Sequence, residues 1–228
     1  MERLWYLSQV SVLDAMSEQE LAEIDQMNAI QHFNQIPNNV TVQTPDEPRQ
    51  GLYFIKQGKL RLYKLSEDGK QFTVGILATG NMFGELESFS FGTKRVYMET
   101  MEPSLLCTMS EMQFEELLAR RPKLALKFMK AMSDRLNERD ELLEQLAFKD
   151  LKGRTLHLLA LLADRFGVTD GEFTTIDFQL THQEVANMLG ATREAVSVAM
   201  RELVKEGSIR TRRMSIQIKR SFPSKGTG

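Results

Sequence analysis

Four residues between positions 193 and 198 have side chains suited to meeting the edges of nucleic-acid bases. Positions three and four apart are neighbours on a helix, so these residues share one face: Arg193, Glu194, Ser197 and Val198. Arginine donates two hydrogen bonds to guanine, glutamate accepts from cytosine, serine accommodates either kind of partner, and valine suits a thymine methyl group. The pattern predicts a recognition helix in a major groove. A solvated helical hairpin would carry a similar face, so the flanking residues are needed to distinguish a recognition helix from such a hairpin.

A helix-turn-helix is predicted over residues 180–207, and it would position that face. Thr181 with Glu184 forms the capping-box pattern that begins a helix, and Gly190 suits the left-handed turn that ends it. Thr192 is the predicted N-cap of the second helix, and Gly207 follows its C-terminus. The core face of this helix consists of apolar residues at helical spacing: Val196, Ala199, Met200, Leu203 and Val204.

Basic residues follow the second helix without any acidic residue. Residues 208–210 and 215–219 alternate in polarity, which predicts a hairpin that turns at residues 212–213. Such a hairpin, called a wing, would lay cations along the phosphates of DNA and favours the recognition helix over the solvated hairpin. The predicted phosphate-contacting residues are Thr181, Thr192, Arg201, Arg210, Arg212, Arg213 and Lys219.

The distribution of charge suits nucleic-acid binding at one end of the chain only. The 228 residues carry a net charge of -2, with 42% hydrophobic and 26% charged residues, which is typical of a soluble protein of two domains. Residues 1–50 hold two basic and eight acidic residues, whereas the last 22 residues hold six basic residues and no acidic residue.

Several classes of protein are excluded by residue types that the sequence lacks. The single cysteine, Cys107, excludes an intrachain disulfide framework and an all-cysteine iron-sulfur cluster within one chain. His32, His157 and His182 lack metal-ligand spacing, so we expect surface or packing roles and no metal site. No membrane-length apolar run or signal-peptide core is present, which predicts a cytoplasmic protein that does not bind membranes. No catalytic motif is found, so we expect that the protein is not an enzyme.

The N-terminal half has a different hydrophobic period. Ser17 with Glu20 predicts short helices within residues 1–35. From residue 37 to residue 109, alternating polarity and frequent glycines predict many short strands in an antiparallel β-roll. Ser110 with Gln113 then predicts a short helix. Together with the C-terminal helices, these elements predict the α+β fold class.

A long helix is predicted from residue 122 to residue 148, and it carries a heptad seam. The seam residues are spaced alternately by three and four positions: Met129, Met132, Leu136, Arg139, Leu143 and Leu146. This spacing favours a two-helix coiled coil with a second copy, while a monomeric core helix is the alternative. A charge at a seam position is costly unless it is paired or bound, so Arg139 is either a register device or a ligand-facing residue.

The elements divide the chain into three predicted parts. They are a β-roll sensor domain at residues 1–121, a dimerisation helix at 122–148 and a winged helix-turn-helix domain at 149–228, with a hinge at 148–150. We expect the apolar residues of segment 151–166 to form the floor under the helix-turn-helix, and residues 168–178 to form a loop with a short hairpin. Residues 221–228 are a predicted frayed tail.

In this order, the three parts resemble the cyclic-AMP receptor protein and fumarate-nitrate regulator family of bacterial transcription factors. Residues 80–86, GNMFGEL, look like the start of the family's phosphate-binding cassette, and Arg95 stands where its phosphate-binding arginine would stand. Residues 146–154 are similar to the family hinge, and residues 192–197 are similar to its recognition helix. The resemblance covers nearly the whole chain and implies a regulator that binds a palindrome with TGTGA-like half-sites.

The sequence departs from the cyclic-AMP binders of that family. Val96 follows Arg95 where those binders have serine or threonine, and Arg139-Asp140 replaces their Thr-Ser pair on the long helix. The cysteine cluster of the iron-sulfur branch and the ligands of the haem branch are missing, so we expect neither cofactor. The candidate effector-pocket residues are Gly84, Glu85, Leu86, Arg95, Val96, Arg139 and Asp140.

The effector therefore stays open at the level of sequence. Arg95 would clamp a phosphate and Glu85 a ribose hydroxyl, which favours a nucleotide or another small anion. In the alternative, Arg95 and Arg139 pair with nearby acidic residues and hold the dimer without ligand.

We interpret the chain as a homodimeric, sequence-specific DNA-binding transcription regulator that is controlled by, or fixed through, its β-roll. Double-stranded DNA, a second copy and RNA polymerase are the expected partners. The alternative is a cyclic-nucleotide-sensing regulatory subunit whose C-terminal module docks a protein, and the acid-free wing argues against it.

Overall fold

The computed structural model describes residues 31–87, 90–212 and 215–220. The helices predicted within residues 1–30, the turn residue Arg213 and the tail 221–228 lie outside these described residues. The described residues form two compact units. The first runs to Asn137 and leaves out Ser66–Phe72, and the second holds Ser66–Phe72 and the described residues from Glu138 onward.

The first unit contains the predicted antiparallel β-roll. Its eight described strands are β1 (Gln31–Ile36), β2 (Thr41–Gln43), β3 (Gly51–Gln57), β4 (Lys59–Leu65), β5 (Gln71–Ala78), β6 (Met82–Glu85), β7 (Tyr97–Thr100) and β8 (Ser104–Met109). They form two four-stranded sheets, in the orders β1-β8-β3-β6 and β2-β7-β4-β5. Every strand pair recorded in these sheets is antiparallel, which confirms the roll.

Two helices follow the roll. The first, α1 (Glu111–Arg120), begins at the predicted capping box, in which Gln113 N donates to Ser110 Oγ at 3.3 Å and Ser110 N donates to Gln113 Oε1 at 2.9 Å. The second, α2 (Pro122–Phe148), is the predicted long helix of 27 residues. Phe114 of α1 and the first turns of α2 pack into the core of the sheet that contains β3, where the Phe114 and Phe128 rings meet edge to face at 4.8 Å.

The second unit contains the predicted helix-turn-helix and wing. Its elements are α3 (Leu151–Phe166), β9 (Gly167–Asp170), β10 (Phe173–Ile176), α4 (His182–Leu189), α5 (Arg193–Lys205), β11 (Ile209–Arg212) and β12 (Ser215–Lys219). The predicted floor is present, because the buried residues of α3 include Leu159, Leu162 and Ala163 and α3 packs against both α4 and α5.

The wing is part of a larger sheet than the sequence predicts. Strands β11 and β12 pair as a hairpin, in which Ile209 faces Ile218. Strand β12 also pairs with β10, where Thr175 faces Gln217, and β10 pairs with β9. The hairpin expected within residues 168–178 is therefore joined to the wing in one four-stranded sheet, in the order β11-β12-β10-β9.

Candidate nucleic-acid interface

Helix α4 begins and ends through the local chemistry that its sequence predicts. Glu184 N donates to Thr181 Oγ1 at 3.2 Å, and Thr181 N donates to Glu184 Oε2 at 2.6 Å, so both halves of the capping box form. At the other end, Gly190 adopts the left-handed conformation with φ 61°. Glycine has no Cβ penalty in that region, so the chain turns there into the next helix.

Helix α5 presents the four predicted base-reading residues away from its core. Thr192 caps it by accepting a hydrogen bond of 3.2 Å from Ala195 N. Val196, Ala199, Met200 and Leu203 are buried, whereas Arg193 and Glu194 are exposed and Val198 is 46% exposed. Ser197 is half-buried. The four residues therefore lie together on the side of α5 that faces away from its core.

The C-terminal turn of α5 differs from the prediction at one residue. Helical spacing predicts Val204 in the core, but 42% of its surface is exposed. The helix ends through a Schellman-type turn, in which Ser208 N donates to Leu203 O at 3.0 Å and Gly207 has φ 74°. Ile209, which is fully buried on the first strand of the wing, is the residue that extends the core beyond Leu203.

An open cleft of about 580 Å³ separates the helix-turn-helix from the wing. Its lining combines the N-terminal residues of α4 and α5 with residues of both wing strands: Leu180, Thr181, His182, Gln183, Arg193, Thr211, Arg212, Ser215 and Ile216. Both helix N-termini carry partial positive charge, and Arg193 and Arg212 add full charges. The cleft is therefore suited to an anion such as a backbone phosphate.

The other predicted phosphate-contacting residues that the structure describes differ in their exposure and in their contacts. Arg201 is exposed and its Nε donates to Ser197 O at 3.2 Å. Lys219 is exposed at the end of β12. The guanidinium of Arg210 lies 3.9 Å from the centroid of the Phe173 ring, a cation–π contact that holds it against the sheet. Arg210 does not line the cleft.

His182 is a residue of this interface that the sequence analysis assigned only to surface or packing. Its Nδ1 lies 2.8 Å from the Oγ of Ser197, a residue that follows it by fifteen positions in the chain. Ser197 Oγ in turn donates to Arg193 O at 2.8 Å. No local motif signals this contact, because it depends on how α4 crosses α5.

In the β-roll, two of the candidate effector residues, Gly84 and Glu85, belong to a buried hydrogen-bond network. Glu85 is 4% exposed, and its Oε1 accepts a hydrogen bond of 2.9 Å from Thr93 Oγ1. Gly84 N donates to Thr93 Oγ1 at 3.2 Å, and Gln43 Nε2 donates to Thr93 O at 2.5 Å. Gly84 has φ 127°, and a Cβ there would collide with the carbonyl oxygen of Gly51, so only glycine fits. Sequence reasoning missed Thr93 and Gln43.

The remaining effector candidates divide into core and surface residues. Leu86 and Val96 are buried in the two core clusters of the roll. Arg95, Arg139 and Asp140 are exposed. Within the described residues of the single chain, neither Arg95 nor Arg139 forms an ion pair with Glu85, Glu87 or Asp140.

The remaining chemical features of the described residues are the possible metal ligands, the free cysteine and the apolar length of the helices. No cluster of three or more histidine, cysteine or acidic residues could hold a metal ion within the described part of the chain. Cys107 is buried in the roll, and burial raises the pKa of its thiol to about 11. Among the helices of the described residues, none is long and apolar enough to cross a membrane.

Family models match both units of the chain. The model of the cyclic nucleotide-binding domain matches residues 33–121, and the model of the Crp-like helix-turn-helix domain matches residues 153–220. The chain belongs to the Crp/Fnr family of transcription regulators. As a Crp/Fnr protein, it is a DNA-binding transcription regulator, which supports the first interpretation of the sequence and not the protein-docking alternative.

Two relatives of this Crp/Fnr protein have names that describe different kinds of regulator. It is 30% identical over 182 residues to the CRP-like cAMP-activated global transcriptional regulator of Mycobacterium tuberculosis, covering 80% of this chain and 81% of that protein. It is also 30% identical over 183 residues to the global nitrogen regulator of a Nostoc strain, covering 79% and 82%.

Solved structures share its fold. A mutant of CooA from Carboxydothermus hydrogenoformans has a TM-score of 0.73 at 22% identity, covering 93% of this chain and 91% of that chain. The c-di-GMP-responsive regulator CLP of Xanthomonas campestris has a TM-score of 0.71 at 20% identity, covering 87% and 99%. These likenesses confirm the predicted fold class.

The long helix of this Crp/Fnr protein exposes most of its predicted seam. Exposure is 58% at Met129, 61% at Leu136, 63% at Leu143 and 56% at Leu146. Met132 is half-buried and packs against the core of the roll. Leu126, Leu142 and Phe148, which the heptad pattern leaves out, are also exposed.

Proposed function

We propose that the chain acts as a homodimer that reads a palindromic DNA site with α5 of each copy. The observation that carries this proposal is the exposed face of Arg193, Glu194, Ser197 and Val198 beside the cationic cleft. A helix of this kind enters the major groove with its N-terminal residues against base edges, and two-fold-related helices read half-sites about 34 Å, or roughly 10 base pairs, apart.

Each residue of the interface has a chemical role in this proposal. Arg193 donates to guanine, Glu194 accepts from cytosine, and Val198 contacts a thymine methyl group. The phosphate contacts come from Arg212 in the cleft and from the helix N-termini at Thr181 and Thr192, with Arg201 and Lys219 along the flanks. Arg213, which lies outside the described residues, stays a predicted phosphate contact. Arg210 would contribute a positive potential while stacked on Phe173.

The dimer rests on the exposed apolar seam of α2. Complete burial of a leucine side chain stabilises an interface by about 1.5–3 kcal/mol, so Leu136, Leu143 and Leu146 together favour pairing with a second copy. A long exposed row of large apolar side chains on one helix is otherwise an aggregation liability. Arg139, which lies between Leu136 and Leu143 in the heptad pattern, would fix the register of the pair.

For the β-roll, we propose a small anionic effector that is not cyclic AMP. Arg95 is exposed and forms no ion pair with a described residue, so its guanidinium is available for a phosphate or carboxylate. Val96 is buried and offers no hydroxyl, and Thr93 already donates to Glu85. The M. tuberculosis relative is named as cAMP-activated and the X. campestris structure as c-di-GMP-responsive, so this fold accommodates different effectors.

We also propose the cytoplasm as the location and RNA polymerase as a protein partner. A transcription regulator must meet DNA and the transcribing enzyme in one compartment. We assign no catalytic activity to the chain.

The test is selection of binding sites from random duplex DNA by the full-length protein. The expected result is one palindrome with half-site centres about 10 base pairs apart. Affinity for that palindrome should fall steeply with salt, since phosphate contacts release counterions. Recovery of no palindrome would contradict the proposed function.

A further inference from the structure

Ser197 Oγ lies between two hydrogen-bond partners. It lies 2.8 Å from the main-chain oxygen of Arg193, one turn earlier on α5, and 2.8 Å from Nδ1 of His182 on α4. Both helix starts are fixed, at Thr181 and at Thr192, by side-chain caps. The three groups therefore form a short chain that runs from His182 through Ser197 to Arg193 O.

The protons of this chain can be assigned by counting donors. A carbonyl oxygen only accepts, so the contact with Arg193 O requires the hydrogen of the Ser197 hydroxyl. A serine hydroxyl has one hydrogen, and none is left to donate to His182. The contact with His182 therefore requires that Nδ1 carries a proton and donates to Ser197 Oγ.

This assignment fixes what Ser197 offers to DNA. A free serine hydroxyl rotates, so it can donate to guanine or thymine oxygens or accept from adenine and cytosine amino groups. In this chain the hydrogen is committed to Arg193 O and one lone pair to His182. The remaining lone pair only accepts.

We infer that His182 is a positioning residue for base recognition, which fixes the Ser197 hydroxyl as an acceptor and so selects a base with a major-groove amino group. The bases that satisfy it are adenine through N6 and cytosine through N4. Guanine and thymine would place an acceptor against an acceptor at that point. This inference rests on the proposed function, because it requires that α5 faces base edges.

The test compares two His182 variants on a defined set of palindromes. Ser197→Ala first identifies the base pair that Ser197 reads, as the position whose preference that change removes. His182→Phe keeps a ring but has no N–H, so the Ser197 hydroxyl is released. We expect it to reduce the preference for the amino-bearing base at that position by about two- to tenfold, which is the range of one hydrogen bond. Preferences at other positions should stay the same.

His182→Asn is the matched conservative variant, because its side-chain amide has an N–H close to the position of Nδ1. It should restore the preference that His182→Phe loses. In a Ser197→Ala background, His182→Phe should have no further effect on base preference, since the two changes act through one hydroxyl. A purely structural role would instead weaken binding to all palindromes alike, and neither the rescue nor the coupling would appear.

A measurement on the unmodified protein keeps the inference testable if the variants fold poorly. Nitrogen NMR of the histidine rings distinguishes the two neutral tautomers, and the His182→Asn spectrum identifies the signal that belongs to His182. We expect a proton at Nδ1. A proton at Nε2 alone would overturn the inference.

The outcomes separate this inference from the proposed function. If Ser197→Ala changes no base preference while Arg193 or Glu194 variants do, the inference is wrong and the regulator still reads DNA with α5. If no variant and no sequence changes binding, the proposed function itself is wrong.

Discussion

The hydroxyl of Thr93 donates a 2.9 Å hydrogen bond to the carboxylate of Glu85, and both side chains are almost fully buried, at 1% and 4% exposure. This pair joins strand β6 to the segment before β7. A hydroxyl that serves a buried carboxylate contributes more to folding stability than one that serves a neutral group. Thr93 therefore links β6 to the segment before β7 through a buried hydrogen bond.

The first prediction compares two threonines of the roll. Thr93→Val should lower the free energy of unfolding by about 1–3 kcal/mol, because Glu85 would lose a buried partner. Thr73 is the matched control: it is 5% exposed on β5, and its hydroxyl has no hydrogen-bond partner among the described residues. Thr73→Val should be neutral or slightly stabilising. Urea unfolding of both variants measures the difference, and equal losses would contradict the assigned role of Thr93.

The second prediction separates base contacts from phosphate contacts. Glu194→Ala should cost about 1–3 kcal/mol of discrimination at one base pair and leave the other positions unchanged. Arg212→Ala should weaken binding to all sequences about equally and reduce the salt dependence by about one phosphate contact. Titration of the selected palindrome and its single-base variants at several salt concentrations measures both effects. A sequence-dependent effect of Arg212→Ala would reassign that residue.

The third prediction concerns the seam of α2. Leu136→Asp and Leu143→Asp would each place an unpaired charge at a self-facing position, so both should give monomers that bind a full palindrome poorly. Asn137→Asp adds the same side chain at an exposed residue beside the seam and should leave the dimer intact. Analytical sedimentation measures whether each variant is a monomer or a dimer. A Leu136→Asp protein that stays dimeric would place the interface elsewhere.

The fourth prediction concerns the effector. Millimolar cyclic AMP should not raise the affinity for the palindrome, because the buried Val96 supplies no hydroxyl. Arg95→Ala should change that affinity whether or not an effector is present. Calorimetric titration is the measurement, and tight, saturable binding of cyclic AMP that Arg95→Ala abolishes would contradict the proposal.

The fifth prediction concerns pH. Burial lowers the pKa of His157 below its usual value of about 6.5, with nearby Glu141 opposing that shift and Lys149 adding to it. As the pH falls, the unfolded chain therefore binds a proton at His157 at a higher pH than the folded chain does. The contribution of His157 to stability is complete above about pH 6.5 and is lost as the pH falls below it. Urea midpoints at neutral and mildly acidic pH should differ less in His157→Gln than in the unmodified protein.

The sequence predicts most where local chemistry decides the structure. The Thr181–Glu184 capping box and the Gly190 turn involve residues a few positions apart, so they can be identified from sequence alone. Once the ends of the two helices are known, helical spacing predicts which residues of α5 face away from its core. Alternating polarity and frequent glycines likewise predict the antiparallel β-roll, and the family resemblance agrees with that prediction.

The contacts that sequence missed join residues that only the fold brings together. His182 contacts Ser197 across two helices, and Gln43 reaches Thr93 over 50 positions. Strand β12 pairs with β10, so Arg210 stacks on Phe173 rather than standing free. Val204 fits the helical pattern of the core, but Ile209 of the wing extends the core instead. Periodicity alone does not determine where a core ends.

The four-stranded sheet that carries the wing has a thermodynamic consequence for DNA binding. Ladder hydrogen bonds already tie β11 and β12 to β10 in the protein without DNA, so this backbone does not need to order when it meets a duplex. Coupled folding on binding adds an ordering entropy and a large negative heat-capacity change. For the described part of this wing we therefore expect little ordering entropy on binding, and we expect association with DNA to be the docking of a preorganised surface that electrostatic steering accelerates.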